Sequence, residues 1–322
     1  MRFLHAKLLS VLLVTFYTII ANSEPYPDRP IKVIVPYGPG GSDVQLRMLQ
    51  PYISQILGQP FVIENRAGGG GAMGTMAVRN SNSDGYTLLF TGTAPLTVNP
   101  HVKQQQYKLE DFIPIGNVTA TALVVVSRAN APFKSFIELI AFAKKNPGKV
   151  NMASNGIGTT THIVGEVLQL ETGVKFTHIP YTGLGQVVVA LLNESADIII
   201  GIPGSFMSQI NSGAFRAVAT TGNIRSEFLP DIPTIKEMGF KVIEETKFGL
   251  VAPRGVSAAI VSKLSNALTM ATQNKEYIEK MRANYVTTLY LDSTRFSEAL
   301  SHENSYWSEM LNRKEFRELI GP

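Results

Sequence analysis

The stretch that most constrains this chain runs from Val33 to Asp43, Val-Ile-Val-Pro-Tyr-Gly-Pro-Gly-Gly-Ser-Asp. Residues Ile31 to Val35 are β-branched at four of five positions, which suits a strand covered on both faces. Pro36, Gly38, Pro39, Gly40 and Gly41 then stop any regular element. Ser42 or Asp43 is expected to cap a following helix, because Val44, Leu46, Met48, Leu49, Ile53, Ile56 and Leu57 recur at helical spacing. Such a turn aims unpaired backbone N–H groups and the positive end of a helix dipole at one spot, a place for an anion or a carbonyl oxygen. The same turn also serves plain close packing, so alone it does not decide between a site and a scaffold.

The first residues read as an export signal. Arg2 and Lys7 precede an apolar run, Leu8 to Ala21, that is too short to span a membrane. Ala21-Asn22-Ser23 places small residues where a signal peptidase reads them, so the cut is expected after Ser23. Without that segment, 27 Lys and Arg face 25 Asp and Glu, and the charge says little about partners. No basic run interleaved with aromatics points to nucleic acid. The chain has no cysteine, hence no disulfide framework. A mature chain of roughly 300 residues exceeds the usual single core and predicts two domains.

Alternating strand and helix continue. Pro60 to Asn65 reads as a strand leading through Gly68-Gly69-Gly70-Gly71 into a helix from about Ala72 to Asn80. Tyr86 to Thr91 reads as a strand ending in the small-residue loop Gly92 to Thr97. Three strand ends in phase thus carry donor-rich loops, and in an open α/β sheet these gather at the carboxyl edge, where ligands bind.

Tyr26-Pro27-x-Arg29-Pro30-Ile31, the 35–43 stretch, Gly58-Gln59-Pro60, Glu64-Asn65-Arg66 and Asp84-Gly85-Tyr86-Thr87-Leu88 together resemble one family. It is the substrate-binding proteins of tripartite tricarboxylate transporters, the Bug or TctC-like family. The resemblance continues through Ala143-Lys144-x-x-Pro147-Gly148-Lys149, Ile179-Pro180-Tyr181-x-Gly183, Leu229-Pro230-x-Ile232-Pro233-Thr234 and Phe248-Gly249-Leu250-x-Ala252-Pro253. It implies an α/β, two-lobed type II periplasmic-binding-protein fold, with a ligand cleft between lobes joined by two crossovers.

The middle of the chain reads independently as a second α/β unit. Phe136 to Lys145 is an amphipathic helix stopped by Asn146-Pro147-Gly148, and Val150 to Ala153 is a strand. Ser154 to Thr161 is a second glycine- and hydroxyl-rich loop opening a helix through Leu170. Strands are expected at 176–180, 197–200, 216–220, 248–251 and 286–289. Helices are expected at 187–192, 207–211, 257–272, 275–282 and 293–319. With crossovers near Ala122–Ser127 and Thr246–Lys247, the expected boundaries are 1–23 signal, 24–124 first domain, 125–246 second domain and 247–322 return to the first.

Catalysis finds little support. The glycine stretch lacks the lysine of a phosphate loop, and no dinucleotide fingerprint stands clear. His162 and Glu166 lie four apart on one helix face, but no neighbouring histidine completes a zinc set, and His101, His178 and His302 are scattered in sequence. Pro203-Gly204-Ser205-Phe206 does not make a nucleophile elbow. No metal or cofactor is called for.

The resemblance then implies an exported, monomeric binding protein that closes on a small carboxylate and delivers it to a large and a small membrane subunit. The carboxylate clamp is expected from Gly40, Gly41 and Ser42 in one lobe and Gly158, Thr159 and Thr160 in the other. Tyr37, Asp43, Thr91, Thr93 and Ala94 complete the first wall, and Asn155, His162, Tyr181, Pro203 and Gly204 the second. Lys247 stands where relatives carry a bulky aromatic, and is expected either to pair with a second carboxylate or to be solvated. Di- or tricarboxylate, acidic amino acid and aromatic carboxylate stay open as ligands. A periplasmic sensor, or a secreted hydrolase using Ser42 or Ser205, is the alternative role.

Overall fold

The computed structural model describes residues 26–102, 105–242, 244–314 and 316; the expected signal segment 1–23 lies outside the described residues. In chain order the strands are β1 (Ile31–Val35), β2 (Phe61–Asn65), β3 (Thr87–Gly92), β4 (Phe112–Ala122), β5 (Val124–Arg128), β6 (Val150–Ser154), β7 (Phe176–Pro180), β8 (Ile198–Gly201), β9 (Phe215–Thr220), β10 (Glu245–Pro253) and β11 (Thr288–Leu291). The helices are α1 (Gly41–Leu57), α2 (Ala72–Arg79), α3 (Ala94–Thr97), α4 (Asn99–Val102), α5 (Phe136–Lys145), α6 (Thr160–Thr172), α7 (Leu184–Leu192), α8 (Met207–Asn211), α9 (Ala258–Thr272), α10 (Lys275–Ala283) and α11 (Ser293–Asn312).

Two sheets result, ordered β11-β4-β10-β3-β1-β2 and β7-β6-β8-β5-β9. In each, the strands followed by glycine loops pair in parallel: β2-β1-β3 in the first and β7-β6-β8 in the second. Their carboxyl ends therefore face the same way, and the returning strands β10 and β5 run antiparallel beside them. β1 is buried at every position but Lys32, as its β-branched run requires. α1 buries Leu46, Leu49, Tyr52, Ile53 and Leu57 against that sheet; each such apolar side chain contributes about 1.5–3 kcal/mol. Val44 and Ile56, equally apolar, are exposed, because they fall off that stripe.

The chain leaves the first sheet at Ala122, enters the second at Val124, and returns at Glu245, which pairs with Ala122. Thr221 ties the two crossovers together. Its hydroxyl accepts from Leu123 N–H (2.9 Å) and donates to the Glu244 carbonyl (2.5 Å), and its backbone N–H donates to the Leu123 carbonyl (2.9 Å). α11 spans both units: Phe296 and Leu300 pack in a first-lobe cluster, Trp307, Met310 and Leu311 in the second-lobe core.

Local expectations fail in three places. Neither Ser42 nor Asp43 caps α1; the cap is Gly40, in an extended conformation with φ +150° that its missing Cβ allows. The 92–97 segment is not an open loop, because Thr93 C=O accepts from Leu96 and Thr97 N–H and starts the buried turn α3. β4, eleven residues long, went unforeseen: its Pro114, Gly116 and Asn117 are poor strand formers, accommodated where the β10 pairing shifts register.

Candidate functional site

The carboxyl ends of the parallel strands of both sheets open onto one cleft of about 610 Å³. From the first lobe it is lined by the loop after β1 (36–42), the loop after β2 (67–71) and Gly92; from the second by 155–157 and 159–161 after β6, 180–184 after β7, and Gly201, Ile202 and Ser205 after β8. Leu123, Thr246 and Phe248 form its floor where the crossovers meet. The described lining contains no Asp, Glu, Lys, Arg or His. A charged ligand there is held by dipoles and hydrogen-bond donors.

Each loop is pinned. Arg66 N–H donates to Val35 C=O (2.8 Å) and Asn65 Nδ2 to Tyr37 C=O (3.0 Å), locking the first two loops together. Gly69 and Gly70, both at positive φ, curl the second loop into a turn that Asn99 Nδ2 holds by the Gly70 carbonyl (3.0 Å). Gly74 lets α2 pack on this corner, since a Cβ there would meet Pro36 Cα at 2.7 Å. In the second lobe, Thr159 Oγ1 donates to Gly156 C=O (2.7 Å) and Thr161 Oγ1 accepts from Asn155 N–H (3.0 Å). The first-turn amides of α1 and α6 have no carbonyl four residues back within their helices, and both helix ends reach the lining. Two buried polar atoms of lining residues, Asn155 Oδ1 and Thr246 Oγ1, have no hydrogen-bond partner among the described residues. Such atoms are ordinarily satisfied by ligand or water.

The lobes touch across the cleft. A Cβ on Gly41 would stand 3.3 Å from Ile202 Cδ1, and one on Gly70 only 2.8 Å from the Ile157 carbonyl. These glycines bring the two backbones close enough to enclose a small molecule.

Of the residues expected from sequence, Tyr37, Gly40, Gly41, Ser42, Asn155, Thr159, Thr160 and Tyr181 line the cleft. The others stand elsewhere. Asp43 is buried and accepts from Arg47 Nε (2.9 Å), which neutralises it. Thr91, Thr93 and Ala94 are buried, with Ala94 in the same apolar cluster as Trp307. Gly158 turns its N–H inward, to His162 Nδ1 (3.2 Å), and so keeps both residues behind the lining. Gly204 packs against the turn after α10, a Cβ there falling 2.5 Å from the Asn284 carbonyl, and Pro203 is likewise off the lining. Lys247 lies between Thr246 and Phe248 on β10; strand alternation turns those two to the cleft and the lysine to the opposite face. There its Nζ is 4.0 Å from Glu303 Oε2 on α11 and donates to Glu245 C=O (3.4 Å). Burial, with the nearby Glu303 charge, pushes Glu244 in this cluster up to about 8. Sequence reasoning missed 67–71, Thr182–Leu184, Ile202, Thr246 and Phe248 as lining; the 67–71 glycine run and the stretches holding Gly183 and Phe248 were the signals that pointed to them.

The fold also brings His178 of β7 onto His162, with ring centroids 4.2 Å apart and planes 26° apart. Sequence distance had hidden this. Ligand atoms of His162, Glu166 and His178 all lie within 4.8 Å of one another. The geometry does not suit a metal: lone pairs lie in the ring planes, and nearly parallel stacked planes meet far from both rings. Ser205 lines the cleft, but no histidine among the described residues does.

Comparison with known proteins agrees with this architecture. Residues 45–315 match the family model described as Tripartite tricarboxylate transporter family receptor, TctC. Protein BugT of Bordetella pertussis is 36% identical over 292 residues, covering 89% of this chain and 90% of BugT. A solved structure described as a periplasmic transporter superposes with a TM-score of 0.85 at 31% identity, over 90% of this chain and 98% of that one. R. palustris Rpa4515 with adipate shares the fold, with a TM-score of 0.84 at 24% identity over 92% and 98% of the two chains. The two-lobed type II periplasmic-binding-protein fold implied by the sequence is thus the fold of this chain.

Proposed function

The chain belongs to the TctC family of tripartite tricarboxylate transporter receptors, and from that premise we propose that it captures a small dicarboxylate outside the cytoplasm and delivers it to a membrane transporter. The observation that carries this reading is a cleft walled by donor loops of both lobes and free of charged side chains. One ligand carboxylate lies against the amides of α1 and α6 with the Ser42 and Thr160 hydroxyls. Each charge-assisted hydrogen bond of this kind contributes about 1.5–3 kcal/mol. Phe248, Ile202, Leu123 and the two tyrosines face the ligand's apolar body, and Thr246 and Asn155 supply partners for its far end. Adipate in Rpa4515 fits that pattern of two polar ends and a short apolar chain. Contact with both lobes makes the ligand favour closure.

Export rests on the 1–23 signal, with mature protein beginning at Glu24. Among the described residues no helix is long and apolar enough to cross a membrane. Mass spectrometry of ligand released from purified protein, followed by calorimetry with adipate and its diamide, tests the reading. A small dicarboxylate recovered, with the diamide bound far more weakly, supports it. Equal affinity for acid and diamide removes the basis for the clamp.

A further inference from the structure

Beneath the second-lobe loop lies a buried polar network that ligand contact does not explain. His162 Nδ1 accepts the Gly158 N–H (3.2 Å). Ser154 Oγ accepts the Gly156 N–H (3.1 Å) and lies 2.7 Å from His178 Nε2. The Ser154 oxygen takes the Gly156 N–H on one lone pair and shares a proton with His178 Nε2, while His162 Nδ1 faces the loop as an acceptor. Both ends of the loop segment 156–158 are therefore tied to one stacked imidazole pair.

Resting on the reading of the cleft as a carboxylate clamp, we propose that His162 and His178 are positioning residues, a proton-sensitive brace that holds the second-lobe loop in its ligand-receiving shape. The neutral His162 ring fixes Gly158, and with it the adjoining Thr159 and Thr160 at the start of α6. A proton on Nδ1 would set an N–H against the Gly158 N–H, two donors facing each other, and the loop must move. Two cations cannot share a stack this close, so the pair takes up one proton at most near neutrality.

The titratable surroundings are limited. α6 contributes Glu166, whose Oε1 is 3.6 Å from His162 Nε2 and whose Oε2 accepts from Gln169 Nε2 (2.5 Å), and Glu171 further along. β7 contributes only His178, and neither β6 nor β8 carries a titratable side chain. Burial pushes Glu166 up to about 7 and holds His178 below its ordinary value.

The test separates acceptor from charge. His162→Asn keeps a side-chain acceptor close to the position of Nδ1 but cannot titrate; His162→Phe keeps the ring shape without an acceptor. With adipate as probe, wild-type affinity should fall about tenfold between about pH 8 and about pH 5.5. The asparagine variant should match wild type at the higher pH and keep that affinity at the lower one, apart from the probe's own titration. The phenylalanine variant should bind weakly at both. In ligand-free protein, NMR should show the Gly158 amide protected from exchange at high pH and exposed at low pH, and protected throughout in the asparagine variant. A phenylalanine variant that binds as wild type does, or an asparagine variant that keeps the wild-type pH profile, overturns the brace. If adipate fails to bind wild type at any pH, the ligand reading falls, and the Gly158 amide still decides the brace: protection that ignores pH overturns it.

Discussion

The two loops proposed as halves of the clamp are built on the same plan and stiffened by different means. In the first lobe, the loop after β1 is held without titratable groups: Arg66 N–H on Val35 C=O, the Asn65 side-chain amide on Tyr37 C=O, and Gly40 at φ +150° and ψ −151°, a conformation reserved for glycine. Its one nearby acid, Asp43, is paired with Arg47. In the second lobe, the loop after β6 is held by side chains: Ser154, Thr159, Thr161 and the imidazoles of His162 and His178. A loop held this way ignores pH but tolerates no side chain at Gly40, whose φ of +150° only glycine adopts freely. A loop held by hydroxyls and imidazoles accepts small changes of shape but answers to each proton and each lost acceptor.

The most damaging way to probe this contrast is Gly40→Val. It forces a β-branched residue into a glycine-only conformation, and carboxylate affinity should fall roughly 100-fold or more at every pH. Calorimetry at two pH values, with melting curves to confirm folding, checks it; a well-folded variant with wild-type affinity would show that the first loop is not rigid in the way described.

Glu166→Gln probes the second lobe through stability. Its carboxyl is raised from 4.5 to about 7 by burial, so the folded state binds this proton more tightly than the unfolded chain does. The contribution is fully present below the unfolded value and is lost as pH rises through about 7. Above that pH the glutamine variant should gain up to about 3 kcal/mol over wild type, and near pH 4 it should gain nothing. His178, shifted downward by burial, acts oppositely, with stability lost as pH falls. Parallel denaturation curves from pH 4 to 8 would refute the buried-carboxyl account.

A smaller effect separates two adjacent hydroxyls. Thr160→Ala should weaken binding about tenfold and leave the melting temperature unchanged, because its side chain lines the cleft without a role in holding the loop. Thr159→Ala should lower the melting temperature as well, because its hydroxyl donates to Gly156 C=O. Equal effects of both on melting would erase the distinction between contact and support. Lys247→Ala should change least, about twofold or less in affinity, since the side chain turns away from the cleft toward Glu303. A loss confined to dicarboxylates would bring Lys247 back into the site.

The local grammar of this chain was legible from sequence. β-branched runs, glycine turns and helical spacing marked β1, β2, β6, α1, α2, α5 and α6, because strand and helix periods and the steric demands of glycine and proline act over a few residues. The glycine loops at parallel strand ends, and so the edge at which the cleft opens, followed from the same rules. What sequence left open depended on partners far along the chain. Lys247 turns its back on the cleft because residues 245–248 of β10 pair in regular register with residues 119–122 of β4, and period two does the rest. Ala94 disappears into the cluster that holds Trp307 of α11, more than two hundred residues later, and Gly204 is taken up by the turn after α10. His178 meets His162 only because β7 lies beside β6 and under α6. Side-chain direction at such positions is set by which surface excludes water once the sheets and helices have packed, and that surface does not exist until distant segments meet.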